Sequence, residues 1–181
     1  MVFTPDVSDA LGAAAELANS AQEPDSLETL DDLLEFFDRW QYTGSRPATR
    51  ADLDAVREVR PRLRALLTAG RDDAVDLVNA ALAEQQAVPR LVRHDRLDWH
   101  VHAIADGRPL HERVLVETAM AMIDVIRADE MSRLGLCAAS DCDAVVVDFS
   151  RNRSRKFCST TCGNREAQAA YRARQGSSFP G

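Results

Sequence analysis

Every cysteine in this chain falls within one 26-residue window, as Cys137-x4-Cys142, a fifteen-residue spacer, and Cys158-x3-Cys162. Two close pairs with a hairpin-length spacer are the ligand arrangement of a structural zinc site. Each pair clips one edge of a tetrahedron of thiolates, and the chain between folds out and back. Four thiols buried only as small apolar groups would have no use for this pairing. A dithiol redox pair would read C-x-x-C, which is absent. The expected cofactor is therefore one structural Zn²⁺ held by Cys137, Cys142, Cys158 and Cys162. A segment this short needs such a staple. Below about 40 residues a chain rarely folds on its own core, and structural zinc contributes roughly 10–16 kcal/mol in finger peptides.

The elements that must position these sulfurs are legible beside them. Ala144 to Phe149 is a β-branched run suited to a strand, and Ser150 to Ser154 is a polar turn. Arg155 and Lys156 return the chain to Cys158, with Phe149 and Phe157 placed to cover the sulfur cage. Cys162 opens a helix from Gly163 to about Gln175, whose first N–H groups face the last sulfurs. Ala167, Ala170, Tyr171 and Arg174 form one stripe of it; Asn164, Arg165, Gln168, Arg172 and Gln175 form another. The second stripe, with Arg151, Arg153, Arg155 and Lys156, is the candidate DNA-binding surface. Its cations suit phosphates, and Asn152 and Asn164 suit base edges. Each has a plainer reading: the arginines as a solvated surface, Asn152 as a turn cap, Asn164 and Arg165 as braces to backbone carbonyls.

Elsewhere chemistry is sparse. His100 and His102 lie two apart, either as a metal pair or as the wet side of a half-buried strand. His94 and His111 have no evident partner. With every cysteine assigned to metal, no Ser-His-Asp or Cys-His arrangement stands out, and there is no glycine-rich phosphate loop. The chain reads as a non-enzyme.

The preceding residues read as helices. Residues 8–20 form a short one with Ser8 as N-cap, and 27–40 an amphipathic one on Leu30, Leu33, Leu34, Phe37 and Trp40. Thr49 with Asp52 forms a capping box before a helix to about Thr68, where Pro61 should kink or split it and Gly70 stop it. Asp72 or Asp73 opens a helix through Ala83, buried along Val75, Val78 and Leu82. Period two then takes over. Leu97, Trp99, Val101 and Ala103 should face inward, with Arg90–Arg93 as a hairpin partner across His94–Arg96. A long helix from Pro109 to about Leu134, ended by Gly135, runs almost directly into the first cysteine.

The chain has 181 residues, 45% hydrophobic and 28% charged, enough for a real core. No apolar run approaches the roughly 18 residues of a membrane span. The acidic start lacks a signal-peptide pattern, so a cytoplasmic location with reduced thiols is expected. The net charge of −7 divides unevenly: −11 up to Ser132 and +4 from Arg133 onward, nearer +2 once four thiolates and a dication are included. A basic tip on an acidic body is the pattern of a module that meets an anionic partner.

The stretch Asp148-Phe-Ser150-Arg151-Asn152-Arg-Ser154-Arg155-Lys-Phe157-Cys158-Ser159, followed by Cys162-Gly163-Asn164-Arg165, resembles the CGNR-type zinc finger over about residues 134–175. The Ala-Leu-rich early helix ending in Ala18-Asn19-Ser20, with Asp31-Asp-Leu-Leu, looks like the ABATE domain that usually precedes it, over roughly residues 8–130. Members of this architecture are described as stress-linked bacterial transcription regulators, so the resemblance implies zinc and DNA. The expected fold is mostly α with a small β-hairpin (α+β). Residues 1–133 would form a helical domain that senses or dimerises. Residues 134–176 would form a treble-clef-like finger ending in a helix, and 177–181 a flexible tail. Expected partners are DNA, a second copy in a homodimer, and a small-molecule effector. The alternative is a zinc-stabilised protein-interaction module without sequence-specific DNA binding.

Overall fold

The computed structural model describes residues 3–93 and 98–176. Among these residues there are six α-helices, α1 (Pro5–Ser20), α2 (Leu30–Arg39), α3 (Arg50–Thr68), α4 (Arg71–Glu84), α5 (Leu110–Arg127) and α6 (Thr160–Gly176), and two small antiparallel hairpins. One pairs β1 (Arg90–Val92) with β2 (His100–His102), and the other pairs β3 (Leu134–Leu136) with β4 (Val145–Val147). The architecture is α+β, as expected. Helices α1, α3 and α5 pack together, and α4 covers α5. Leu11, Leu53, Val56, Leu63, Leu67, Val114 and Met122 meet in a fully buried core. Among the described residues, no helix is long and apolar enough to cross a membrane.

Local chemistry sets most helix starts. Thr29 and Thr49 each close a capping box with the aspartate three residues on, Asp32 and Asp52. The first helix begins earlier than expected, at Pro5 behind Thr4, because proline suits the first turn; Ser8 lies inside it. Pro61 does not split α3, which runs unbroken from Arg50 to Thr68. The carbonyl that Pro61 cannot pair, that of Arg57, accepts from Arg60 Nε at 3.2 Å. The same buried guanidinium forks onto Asp25, at 2.9 Å to each carboxylate oxygen, tying α3 to the loop after α1. Hydrogen bonding from Arg60, helped by a backbone N–H from Leu27, holds the Asp25 carboxyl below its ordinary range.

Three helix ends share one device, and at α5 it stops the helix well before the expected Leu134. After α2, α4 and α5, Gln41, Gln86 and Asp129 adopt left-handed φ of 53°, 50° and 56°. Each closes a paired 5→2 and 6→1 turn, as in Asp129 N–H to Ile126 O and Glu130 N–H to Val125 O. Thus α5 stops at Arg127, and Gly135 sits within β3 rather than ending a helix. Helix α4 is also rotated from the expected face: Ala74, Val78 and Ala81 are buried while Val75 is exposed.

The β1–β2 pairing is the expected one, with Arg90 opposite His102 and Val92 opposite His100. The turn residues and Leu97 lie outside the described residues. Ala103 is buried as expected, but around β2 itself the facing is reversed. His100 is 7% exposed, whereas Trp99 is 62% and Val101 40% exposed. The histidines, read as the wet side, point inward, where His100 Nδ1 lies 2.8 Å from Asp98 O and the two Nε2 atoms lie 3.1 Å apart.

Strand β4 joins the body to the cysteines. Its side chains alternate faces. Val145 and Val147 enter the main core, and Val146 packs with Ala139, Ala144, Cys137 and Cys162. The amide of Asn19, near the end of α1, pairs with Val145 like a neighbouring strand, Nδ2 donating to its carbonyl at 2.9 Å and Oδ1 accepting its N–H at 2.6 Å. Arg64 of α3 donates to Asp143 O at 2.6 Å.

Candidate metal centre and its basic surface

The sulfurs are brought together by two local devices. After β3 the chain makes a knuckle: Cys137 N–H donates to Ala144 O at 2.8 Å and Cys142 N–H to Ala139 O at 3.2 Å. At the other corner Ser159 caps the last helix, accepting the Cys162 N–H on its hydroxyl at 3.2 Å, so Cys162 sits in the first turn of α6. All four sulfurs lie within 4.8 Å of one another. Cys158 Sγ is 3.7 Å from Cys142 Sγ and 3.6 Å from Cys162 Sγ. A tetrahedron with zinc–sulfur bonds of roughly 2.3 Å has edges of about 3.8 Å, so the donors already stand at zinc spacing. Burial and the neighbouring sulfurs push the Cys158 thiol up to about 12. A divalent cation removes that penalty by binding the thiolates outright. The four cysteines form a structural zinc site.

Around them a second layer fixes the geometry. Arg165 reaches back over the cage, 3.4 Å from Cys162 Sγ and 2.5 Å from Asp141 Oδ1. Glu166 accepts from the N–H and hydroxyl of Ser140 at 2.9 and 3.0 Å. Both side chains lock the start of α6 to the first knuckle. A Cβ at Gly163 would sit 3.3 Å from the Phe157 ring, so glycine lets this ring close on the sulfurs. Phe149 stays half exposed and is not part of that cover.

The loop between the pairs is built on Asp148, a buried carboxylate. It accepts N–H groups from Ser150 at 2.7 Å and Arg155 at 2.9 Å. Burial opposes its charge, but these hydrogen bonds and the Arg133 charge prevail and hold its pKa low. Arg133, buried at the end of the connection from α5, donates to the carbonyls of Asp148 and Ser150 at 3.1 and 2.7 Å.

The candidate surface residues divide by what they touch. Arg153 pairs with Glu130 at 2.9 Å, and Arg165 with Asp141 and sulfur. Arg155 donates to Cys158 O at 2.9 Å and has no ion pair among the described residues. Arg151, Asn152, Lys156, Asn164, Gln168 and Arg172 are exposed. Asn164, Gln168 and Arg172 line one shallow groove on α6 with Ala167 and Tyr171. The sequence reading missed three of the braces: Glu130, Arg133 and Asp141 carry no spacing signal that a zinc motif would supply. Asp148 alone was visible, as the first residue of the motif stretch.

Residues 133–175 match the family described as "CGNR zinc finger". Residues 11–129 match ABATE, described as "Putative stress-induced transcription regulator". No curated protein matches the chain. With the helical body and the four-cysteine finger both in the places these families assign them, the chain belongs to the ABATE family and carries a C-terminal CGNR zinc finger.

Proposed function

We propose that this protein is a zinc-dependent, DNA-binding transcription regulator of the cytoplasm, acting through binding rather than catalysis. The finger contacts DNA, and the helical body senses an effector or holds two copies together. The supporting observation is the set of outward-facing cations on the finger. Arg151, Lys156 and Arg172 are exposed, with no ion pair to any described residue, beside the polar Asn152, Asn164 and Gln168. Arg153 and Arg165 are engaged by carboxylates, so in this reading they set the shape of the finger. A single finger offers roughly 600–1,000 Å² to DNA, so a homodimer on a two-part site follows.

The test is duplex binding against salt. With three phosphate contacts, log K falls with log[salt] at a slope of about −3 per finger, and Arg151→Glu with Lys156→Glu abolishes retention. A flat salt dependence, or full retention by the double variant, would overturn the reading. One observation favours a second: Tyr171 is 56% exposed on α6, beside Ala167. That strip suits a protein partner. Under this alternative Tyr171→Ala loses partner capture and the charge reversal does not.

A further inference from the structure

A cavity of about 390 Å³ opens beside the α1–α5 contact, lined also by β2 and the Trp40–Thr43 turn. That volume is typical of small-molecule sites, which hold roughly 300–1,000 Å³. Gly12 shapes one wall: a Cβ there would fall 2.4 Å from the Trp40 ring, so only glycine lets the indole lie on α1. Trp40 is fixed by its Nε1 donating to Glu16 at 2.9 Å. Val7, Ala10, Ile104, Met120 and Ile123 add further apolar surface.

The charged lining is lopsided. Among the described residues five carboxylates, Asp6, Asp9, Asp106, Glu117 and Asp124, line it with two guanidiniums, Arg113 and Arg127, and the imidazoles of His100 and His102; Asp106 is already met by Arg90 at 3.8 Å and His102 at 3.5 Å. Arg113 is already engaged, donating to the carbonyls of Thr43, Ser45 and Arg108 while lying over the rings of Phe37 and Tyr42. Glu117, one helical turn further along α5, makes no hydrogen bond or ion pair with any described residue. Burial raises its pKa to about 7, with the Arg113 charge offsetting only part of the effect. A carboxylate withdrawn from water without a hydrogen-bonding partner is costly unless something enters to pair with it.

We propose that this cavity binds a small organic cation, an amine with an apolar ring-sized body, whose ammonium pairs with Glu117 while its body rests against Trp40, Ile104 and Met120. Anions of the same shape meet the Glu117 carboxylate and are rejected. Neutral analogues keep the apolar contacts and lose the ion pair. This gives a ligand class to the effector role proposed above. It rests on that reading only for its consequence at DNA, not for binding itself.

The test is calorimetric titration of the zinc-loaded full chain at pH 8 with phenethylammonium, phenethyl alcohol and 3-phenylpropionate. Phenethylammonium should bind saturably at one site, about tenfold or more tighter than either analogue, as expected for a charge-assisted hydrogen bond. Glu117→Gln should remove that preference and leave the alcohol unaffected. The proposal fails if the amine shows no saturable binding up to about 10 mM, if the acid binds as well as the amine, or if the variant keeps the preference. Should Glu117→Gln not fold, the three-probe comparison on the unaltered protein decides alone. Amine binding that leaves DNA affinity unchanged removes the effector role and keeps the site. Absence of DNA binding with or without amine removes the DNA reading and keeps the site.

Discussion

Arg165 illustrates how much one side chain can do beside a metal. Its guanidinium touches Cys162 Sγ and the Asp141 carboxylate at once, neutralising part of the charge that four thiolates and a dication leave behind. Partners of this kind typically account for a 10–100-fold effect on metal affinity, roughly. Arg165→Ala should therefore weaken zinc binding by about tenfold or more in a chelator competition, with a smaller loss for Arg165→Lys. An unchanged competition curve would reduce Arg165 to a surface residue. Glu117 makes the opposite kind of residue-scale prediction. Its pKa rises to about 7 in the fold against about 4.3 in an unfolded chain. The folded state then holds the proton more tightly between those values, and stability falls as pH rises from about 4.3 to 7. The full effect is on the order of 3 kcal/mol above pH 7. Glu117→Gln should be more stable than the unaltered protein at pH 8 and not at pH 4, read as the difference in melting temperature. That difference isolates Glu117 from the other groups around the cavity, Asp6, Asp9, His100, His102, Asp106 and Asp124, which both proteins share. A pH-independent difference would contradict the assignment.

At the scale of elements, β4 is the piece on which two cores meet. Three valines in a row look uniform in sequence, yet the pleat sends Val145 and Val147 into the helical body and Val146 onto the sulfurs. Asn19 holds this strand in register by imitating a peptide group on its free edge. Asn19→Ala leaves the Val145 N–H and C=O unpaired in a half-buried place, costing about 1–3 kcal/mol. The expected readout is a lower melting temperature together with faster exchange of the Val145 amide. Unchanged exchange at Val145 would show that the amide ladder is dispensable. The helix ends teach a related lesson. Capping boxes at Thr29 and Thr49 rest on side chains three residues apart, so Thr49 with Asp52 could be read directly. The ends at Gln41, Gln86 and Asp129 rest on a backbone turn made by residues that do not advertise it. Gly135, the residue that seemed to mark an end, lies in a strand.

For the whole molecule, the shared strand couples metal to stability. Zinc binding is folding free energy for the finger, and through β4 part of it should reach the body. Removing the metal with a strong chelator should lower the melting temperature of the helical signal as well, by about 4–8 °C for a loss of about 2 kcal/mol in a chain of this size. A body that melts at its original temperature after zinc is stripped would mean that the packing of Val145 and Val147 is independent of the sulfurs. The same coupling gives the proposed regulator a physical route. Helix α1 lines the cavity and, through Asn19, holds the strand that carries the finger.

The four zinc ligands, the helical nature of the body and the capped start at Thr49 follow from the sequence by itself. Each depends on residue types at fixed short spacings, which act before any distant contact forms. Tertiary structure decided what such spacings leave undetermined. An alternating strand has two faces that are equivalent until something packs on one of them. Here the body and α5 took the His100 face and left Trp99 outside. A run of arginines is equally silent until carboxylates arrive from elsewhere. Glu130 and Asp141 pair with Arg153 and Arg165, while Arg151, Lys156 and Arg172 have no ion pair among the described residues. The cavity on Glu117 exists only because α1, α5 and β2 meet there, and no local pattern encodes a space between elements.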